Sequence, residues 1–431
     1  MAEDDFKAAV GMSREWDAYG AGVEVAQNTL DQLGEKPDCF ILFSTIHYKK
    51  HGGFQKFLEG VWDVLPKGTP LVGGTVAGFI NPKGCFTRGA TALAIKYRDM
   101  DLSISIGKNT KRAPNTAGRQ GVNGLTNLHN SKFKNKLIFD FISGPSKPTI
   151  PFLGNPLIIH SKKVSKLLEL LSYFSVIFAQ RGFGREKEVL NYIRRRIPNF
   201  PLVGFSTTDD NKLENEYQFF GKKVFRNSVV LFGISTDLDF FLKGGHGLIP
   251  RTKKYKITEK GLWGYMINRI ENQEALIKFS DFSGWTKETL DEKRFYRKTF
   301  FYPLGTTDKS GNLHPSVIGA FWGNSLVCGC SIEGNEVSLL TISGNRILNV
   351  VKEILQEMDV EPYVGLMFSC AVRLESLGAG IYHVKKIIDE HFYEKPYLLV
   401  YGAGENLAYP NEDVLSYNAS FRCAVIGKKL D

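Results

Sequence analysis

The 431 residues exceed the roughly 250–300 at which single hydrophobic cores stop growing, so two or three domains are expected. With 43% hydrophobic, 23% charged and 12% aromatic residues, the composition excludes a disordered or fibrous chain. The net charge of +10 includes the basic runs Arg194–Arg196 and Arg251–Lys256, but neither carries an interleaved aromatic series, so solvated faces are expected and a nucleic-acid partner is not.

In chain order, apolar spacing predicts an amphipathic helix from Trp16 to Leu33 that Gly34 terminates, then a buried strand at Cys39–Thr45. Further helices are predicted over Gly53–Leu65, Ser161–Ser172 and Glu186–Ile197. The polar, Gly/Asn-rich stretch from Lys108 to Lys136 reads as a long surface loop. Trp263–Leu276 reads as helical, Phe300–Ser331 as strand-rich, and Gly344–Met358 and Ala379–Phe392 as amphipathic helices. Helices alternating with buried runs predict an α/β fold of internally repeated mixed sheets covered by helices. A boundary is expected near residue 245, dividing the chain into 1–245, with modules at about 16–106 and 136–236, and 246–431.

One pattern recurs three times: a buried strand leads through a helix to a Pro-headed apolar run ending in glycine and small polar residues. The runs begin at Pro70, Pro201 and Pro396, and Ser44 precedes Pro70 by 26 residues as Ser369 precedes Pro396 by 27. Such spacing is far above the roughly 20–50 residues of solenoids and propellers, so repeated modules of a globular body are implied.

Strand ends reading Gly-Gly-Thr or Gly-Phe-Ser-Thr-Thr present backbone N–H groups and hydroxyls where α/β sheets bind ligands. The candidate ligand-binding residues are Ser206, Thr207, Asp209 and Asp210 of the second copy, and Ser369, Cys370, Arg373, Gly404 and Glu405 of the third. Arg373 is shaped to grip a carboxylate, and Asp209, Asp210 or Glu405 to receive an ammonium, together suiting an amino acid; the alternative pairs Arg373 with one of these acids as a structural bridge. Cys370 with His383 or His391 as base would make a nucleophile, but a buried or ligand-lining thiol is favoured and no enzyme is expected. The eight histidines form no metal signature, so no cofactor is expected, haem on a single axial His being the alternative. The six cysteines show no disulfide spacing, Met1–Asp5 is acidic, and no stretch approaches a membrane span, which together predict a cytoplasmic location without membrane contact.

Pro70–Phe79 with Gly84–Ile95, Pro201–Asp210 with Tyr217–Gly221, Gly244–Gly247, Tyr302–Gly305, Phe368–Arg373 and Tyr401–Glu405 occur in an order that resembles FIST domain proteins, over roughly residues 16–427. The resemblance implies FIST N-like and FIST C-like halves forming an intracellular sensory module of signal transduction that binds small ligands such as amino acids. It also implies two alternatives: a haem-based nitric oxide sensor, and an adaptor of the F-box-associated type. The chain departs from the family pattern at Gly73–Phe79, which lacks the acid at its end, and at Tyr417-Asn418, where His-Asn is usual. The expected function is therefore small-ligand sensing, with an amino acid or small carboxylate as the ligand recognised and output through a separate signalling partner.

Overall fold

The computed structural model describes residues 5–148, 157–285, 295–307 and 311–430. Three six-stranded sheets repeat one design. In the first, Cys39–Thr45 pairs parallel with Leu71–Val76 and antiparallel with Ala90–Lys96. Asn135–Ser143 stands in the same way between Leu202–Thr207 and Ser228–Thr236, and Val360–Cys370 between Tyr397–Gly402 and Phe421–Lys429. Each Pro-headed run is thus the strand parallel to its module's first strand.

Each module then gives its next hairpin to a neighbour. The hairpin Gly78–Asn81/Gly84–Phe86 extends the third sheet, Gln218–Phe220/Lys223–Phe225 the first, and Glu405–Ala408/Leu415–Tyr417 the second. The exchange closes a ring in which no sheet is complete alone.

Alternate residues of the central strands explain why they are buried on both faces. Ile41 and Phe43, Phe139 and Phe141, and Leu366 and Phe368 point into one shared core, where Phe43, Phe141, Phe205 and Phe368 pack with ring centroids 5.3–6.3 Å apart. Phe40 and Leu42 face the helices Ala18–Leu33 and Phe54–Val64, while Ile138 and Ile142 face Glu186–Arg196. Met367 packs beneath Gly344–Gln356 and Ile381–Phe392. Mixed sheets covered by helices are the observed architecture.

After the strand Asp239–Gly245 of the third sheet, the chain enters a ten-stranded layer spanning 249–341, which Ile158–Ile159 joins from the second module. It returns to the third module through the helix Gly344–Gln356. Residues 246–431 therefore contain both this inserted layer and most of the third module.

Two expectations are corrected. The predicted loop 108–136 contains the helices Pro114–Asn123 and Thr126–Asn130, with Ala117, Leu125 and Leu128 in the core. Its glycines serve close packing, since a Cβ on Gly118 would lie 2.9 Å from the Tyr192 ring. Within Trp263–Leu276 the chain forms the strands Met266–Ile270 and Gln273–Glu274, and its helix begins only at Ala275. The apolar spacing there serves a twisted, bulged strand pair as well as a helix.

Candidate functional site

The carboxyl ends of the three Pro-headed strands meet. Thr208 N–H donates to Thr75 C=O at 3.0 Å, Ala77 N–H to Tyr401 C=O at 2.9 Å, and Ser206 and Ala403–Gly404 exchange two backbone bonds of 2.8 Å. Gly402 permits that exchange, because a Cβ there would come within 2.5 Å of Phe205. Beside this junction lies a cavity of about 50 Å³, lined by Cys370, Thr208, Gly402 and Ala403 from the modules and by Val317 and Gly329 from the inserted layer. A narrower polar annex of about 10 Å³ adjoins it through Pro145, Gly329, Ala403 and Asn418, and reaches Glu186, Tyr265 and Cys330.

Asn418 joins the walls. Its Nδ2 donates to Ala403 C=O at 2.6 Å, and its Oδ1 accepts from Val317 N–H at 3.1 Å, linking the third module to the inserted layer. At the annex, Tyr265 Oη–H donates to Glu186 Oε2 at 3.3 Å, while Glu186 Oε1 has no hydrogen-bond partner among the described residues. Burial raises the Glu186 carboxyl above its ordinary range, and the Lys111 ammonium opposes the rise. Lys111 is itself buried and donates to Gly144 C=O at 3.0 Å and Ser146 Oγ at 2.9 Å.

Of the residues singled out in the sequence, Cys370 lines the cavity, and Ser206 and Gly404 line the annex. Thr207 is turned into the sheet, donating to Ile142 C=O at 3.2 Å and accepting from Gln218 Nε2 at 2.6 Å. Ser369 is buried between its strand partners Tyr401 and Phe421. Asp209 accepts the N–H groups of Leu213, Glu214 and Asn215 at 2.8–3.1 Å, and Asp210 pairs with Lys212 at 2.7 Å on the surface.

Arg373 faces neither cavity. Its guanidinium is fully buried and donates to Ile347 C=O at 2.8 Å and His246 C=O at 3.3 Å, which removes it from both expected roles, the carboxylate grip and the acid bridge. Glu405 accepts from Ser420 Oγ at 2.8 Å in the protein interior, and burial pushes its carboxyl up to about 8. These two groups and the two aspartates are not brought together around one ligand. Asn418, Glu186 and Tyr265 were absent from the sequence candidates. Asn418 had a signal in the Tyr417-Asn418 pair, whereas nothing local marks Glu186 or Tyr265.

Burial holds the Cys370 thiol well above its ordinary range, and neither His383 nor His391 lines the cavity. A protonated thiol without an adjacent base is a lining group, not an activated nucleophile. Haem does not fit the cavity as formed, since it measures about 50 Å³ and no histidine lines it. Among the described residues no group of three or more His, Cys, Asp or Glu side chains is placed to hold a metal ion, and no helix is long and apolar enough to cross a membrane.

No match is found among curated proteins. Among solved structures the chain is similar to cyanuric acid hydrolase from A. caulinodans at 8% identity and a TM-score of 0.27, covering 55% of this chain and 72% of that one. It is also similar to PurLQS from Thermotoga maritima at 11% identity and a TM-score of 0.20, covering 100% and 74% of the two chains. Likenesses this slight carry no argument about function. A family model described as the FIST N domain matches residues 38–272, more than half of the chain, and the protein belongs to the FIST family.

Proposed function

We propose that this FIST protein is a sensor whose small ligand enters the cavity at the joined strand ends. FIST domains are sensory domains of signal transduction. The observation that carries the reading is the wall made by residues 208–215. Thr208, Asn211 and Leu213 line the cavity, whereas Asp209, Asp210, Lys212, Glu214 and Asn215 line a surface cleft on the other side. Asn211 and Leu213 hold φ of 63° and 55°, a left-handed backbone that asparagine tolerates and that costs leucine energy, and Asn211 Nδ2 ties the wall to Glu375 Oε1 at 3.1 Å. A ligand pressing on this wall would alter the outer surface, which a separate signalling protein could read.

The cavity suits a molecule of a few heavy atoms with a mainly apolar body. A polar end would lie toward the annex, where Glu186 offers an unpaired carboxyl oxygen. Amino acids with small side chains remain the first class to test, and small carboxylates the second. Arg373 supplies no carboxylate grip in either case.

A thermal-shift screen of both classes on wild type and Cys370→Leu tests the reading. Saturating ligand at about 100 times its Kd adds about 2.7 kcal/mol of stability. A compound that raises the wild-type melting temperature and not that of Cys370→Leu, whose extra carbons fill the cavity, supports it. Equal shifts in both proteins would place binding elsewhere and refute it.

A further inference from the structure

The outer cleft is far larger than the cavity, about 410 Å³, which falls in the roughly 300–1,000 Å³ range of small-molecule sites. It stands between the first module and the wall 208–215. Its floor begins at Thr45, the last residue of the first module's central strand, the position that Cys370 occupies in the third module. The repeat thus places a strand-end recess here too, but an open and charged one.

One side of the cleft carries an aromatic and cationic cluster. Trp16 is 55% exposed, and its ring is set edge-on to His47 and His51 at centroid distances of 6.0 and 5.1 Å. The Arg88 guanidinium sits 5.4 Å from the Trp16 ring centroid. His47 is fixed in turn by a 2.8 Å bond between Nδ1 and Thr45 Oγ1. Among the described residues, Lys50 and Arg88 have no carboxylate within ion-pair distance, so their charge is available to a ligand, and the His51 ring beside them offers an N–H donor.

The opposite side is different. Asp209 is occupied by three backbone N–H groups and Asp210 by Lys212, and Glu214 has no ion-pair partner among the described residues. Glu214 and the outer oxygens of Asp210 can accept hydrogen bonds from ring amines or sugar hydroxyls. An exposed indole, two cations without ion-pair partners among the described residues and acceptors across the gap define a ligand with a planar ring, an anionic group and neutral donors.

We propose that this cleft binds a nucleoside phosphate, its base on Trp16, its phosphate at Arg88, Lys50 and His51, and its amine or hydroxyl donors toward Glu214. Arginine is suited to the phosphate through paired hydrogen bonds, and the indole offers every base a stacking face. Because the wall 208–215 is shared, this second ligand would bear on the same segment as the cavity.

Titration calorimetry at low salt with adenosine and guanosine monophosphates, adenosine and inorganic phosphate tests the assignment on wild type, Trp16→Ala and Arg88→Ala. Both substituted side chains are exposed at the surface, and circular dichroism verifies that the variants are folded; Trp16→Phe and Arg88→Lys serve if they are not. The expected result is binding of a nucleoside monophosphate that weakens about tenfold in each alanine variant, with phosphate alone and adenosine alone weaker still. No binding of either nucleotide to wild type overturns the proposal. So does nucleotide binding undiminished in both variants, and phosphate binding as tightly as the nucleotides overturns the base's part in it. These outcomes are independent of the cavity, whose occupancy Cys370→Leu reports.

Discussion

Among single residues, Glu405 and Asp140 give the clearest consequence. Burial raises their carboxyls from 4.5 to about 8 and from 3.8 to about 7. As pH rises, the unfolded chain releases these protons first, near the ordinary carboxylate values, and the folded chain only near 7 to 8. The folded state binds more protons across that window, so stability falls as pH rises through it. Urea denaturation at pH 5 and pH 8.5 is expected to show wild type losing stability at the higher pH, and Glu405→Gln losing clearly less. An equal loss in both proteins would contradict this role. Arg373 shows how a sequence candidate can be structural: Arg373→Leu removes the two charge-assisted hydrogen bonds to Ile347 C=O and His246 C=O and is expected to cost about 3 kcal/mol in denaturant titration. A ligand shift in the thermal screen should survive it.

Elements were legible where one face is apolar over several turns. The helices Ala18–Leu33, Gly344–Gln356 and Ile381–Phe392 follow their predicted spans within about two residues. The helix at Pro114–Asn123 was missed because its packing rests on glycines, which sequence patterns read as loop. The same close packing occurs next door, where a Cβ on Gly107 would fall 1.9 Å from Ala117 C=O. Gly107→Ala must therefore push the helix off its sheet, and a loss of about 3 kcal/mol is expected in urea unfolding. Site residues followed the same division. Cys370, Ser206 and Gly404 lie at strand ends, which local sequence marks; Glu186, Tyr265 and Val317 reach the cavities from elements distant in sequence, and no local pattern announces such a meeting.

At the scale of the molecule, the threefold repeat read from Pro70, Pro201 and Pro396 became three sheets, but their hairpin exchange was not legible because pairing partners lie far apart in the chain. The exchange makes the modules interdependent around one phenylalanine core. Phe205, which packs on Phe43, Phe141 and Phe368, touches all three, and Phe205→Ala is expected to cost about 4 kcal/mol and to lower a single cooperative melting transition. Separate transitions would show modules that fold independently.

The sensor reading requires that the wall 208–215 respond to the cavity. Hydrogen–deuterium exchange of wild type, with and without the compound giving the largest Cys370-dependent thermal shift, tests this directly. Slower exchange at 208–215 on ligand addition is the expected result. Bound ligand with exchange at 208–215 unchanged would contradict it, because the cavity would then have no route to the surface.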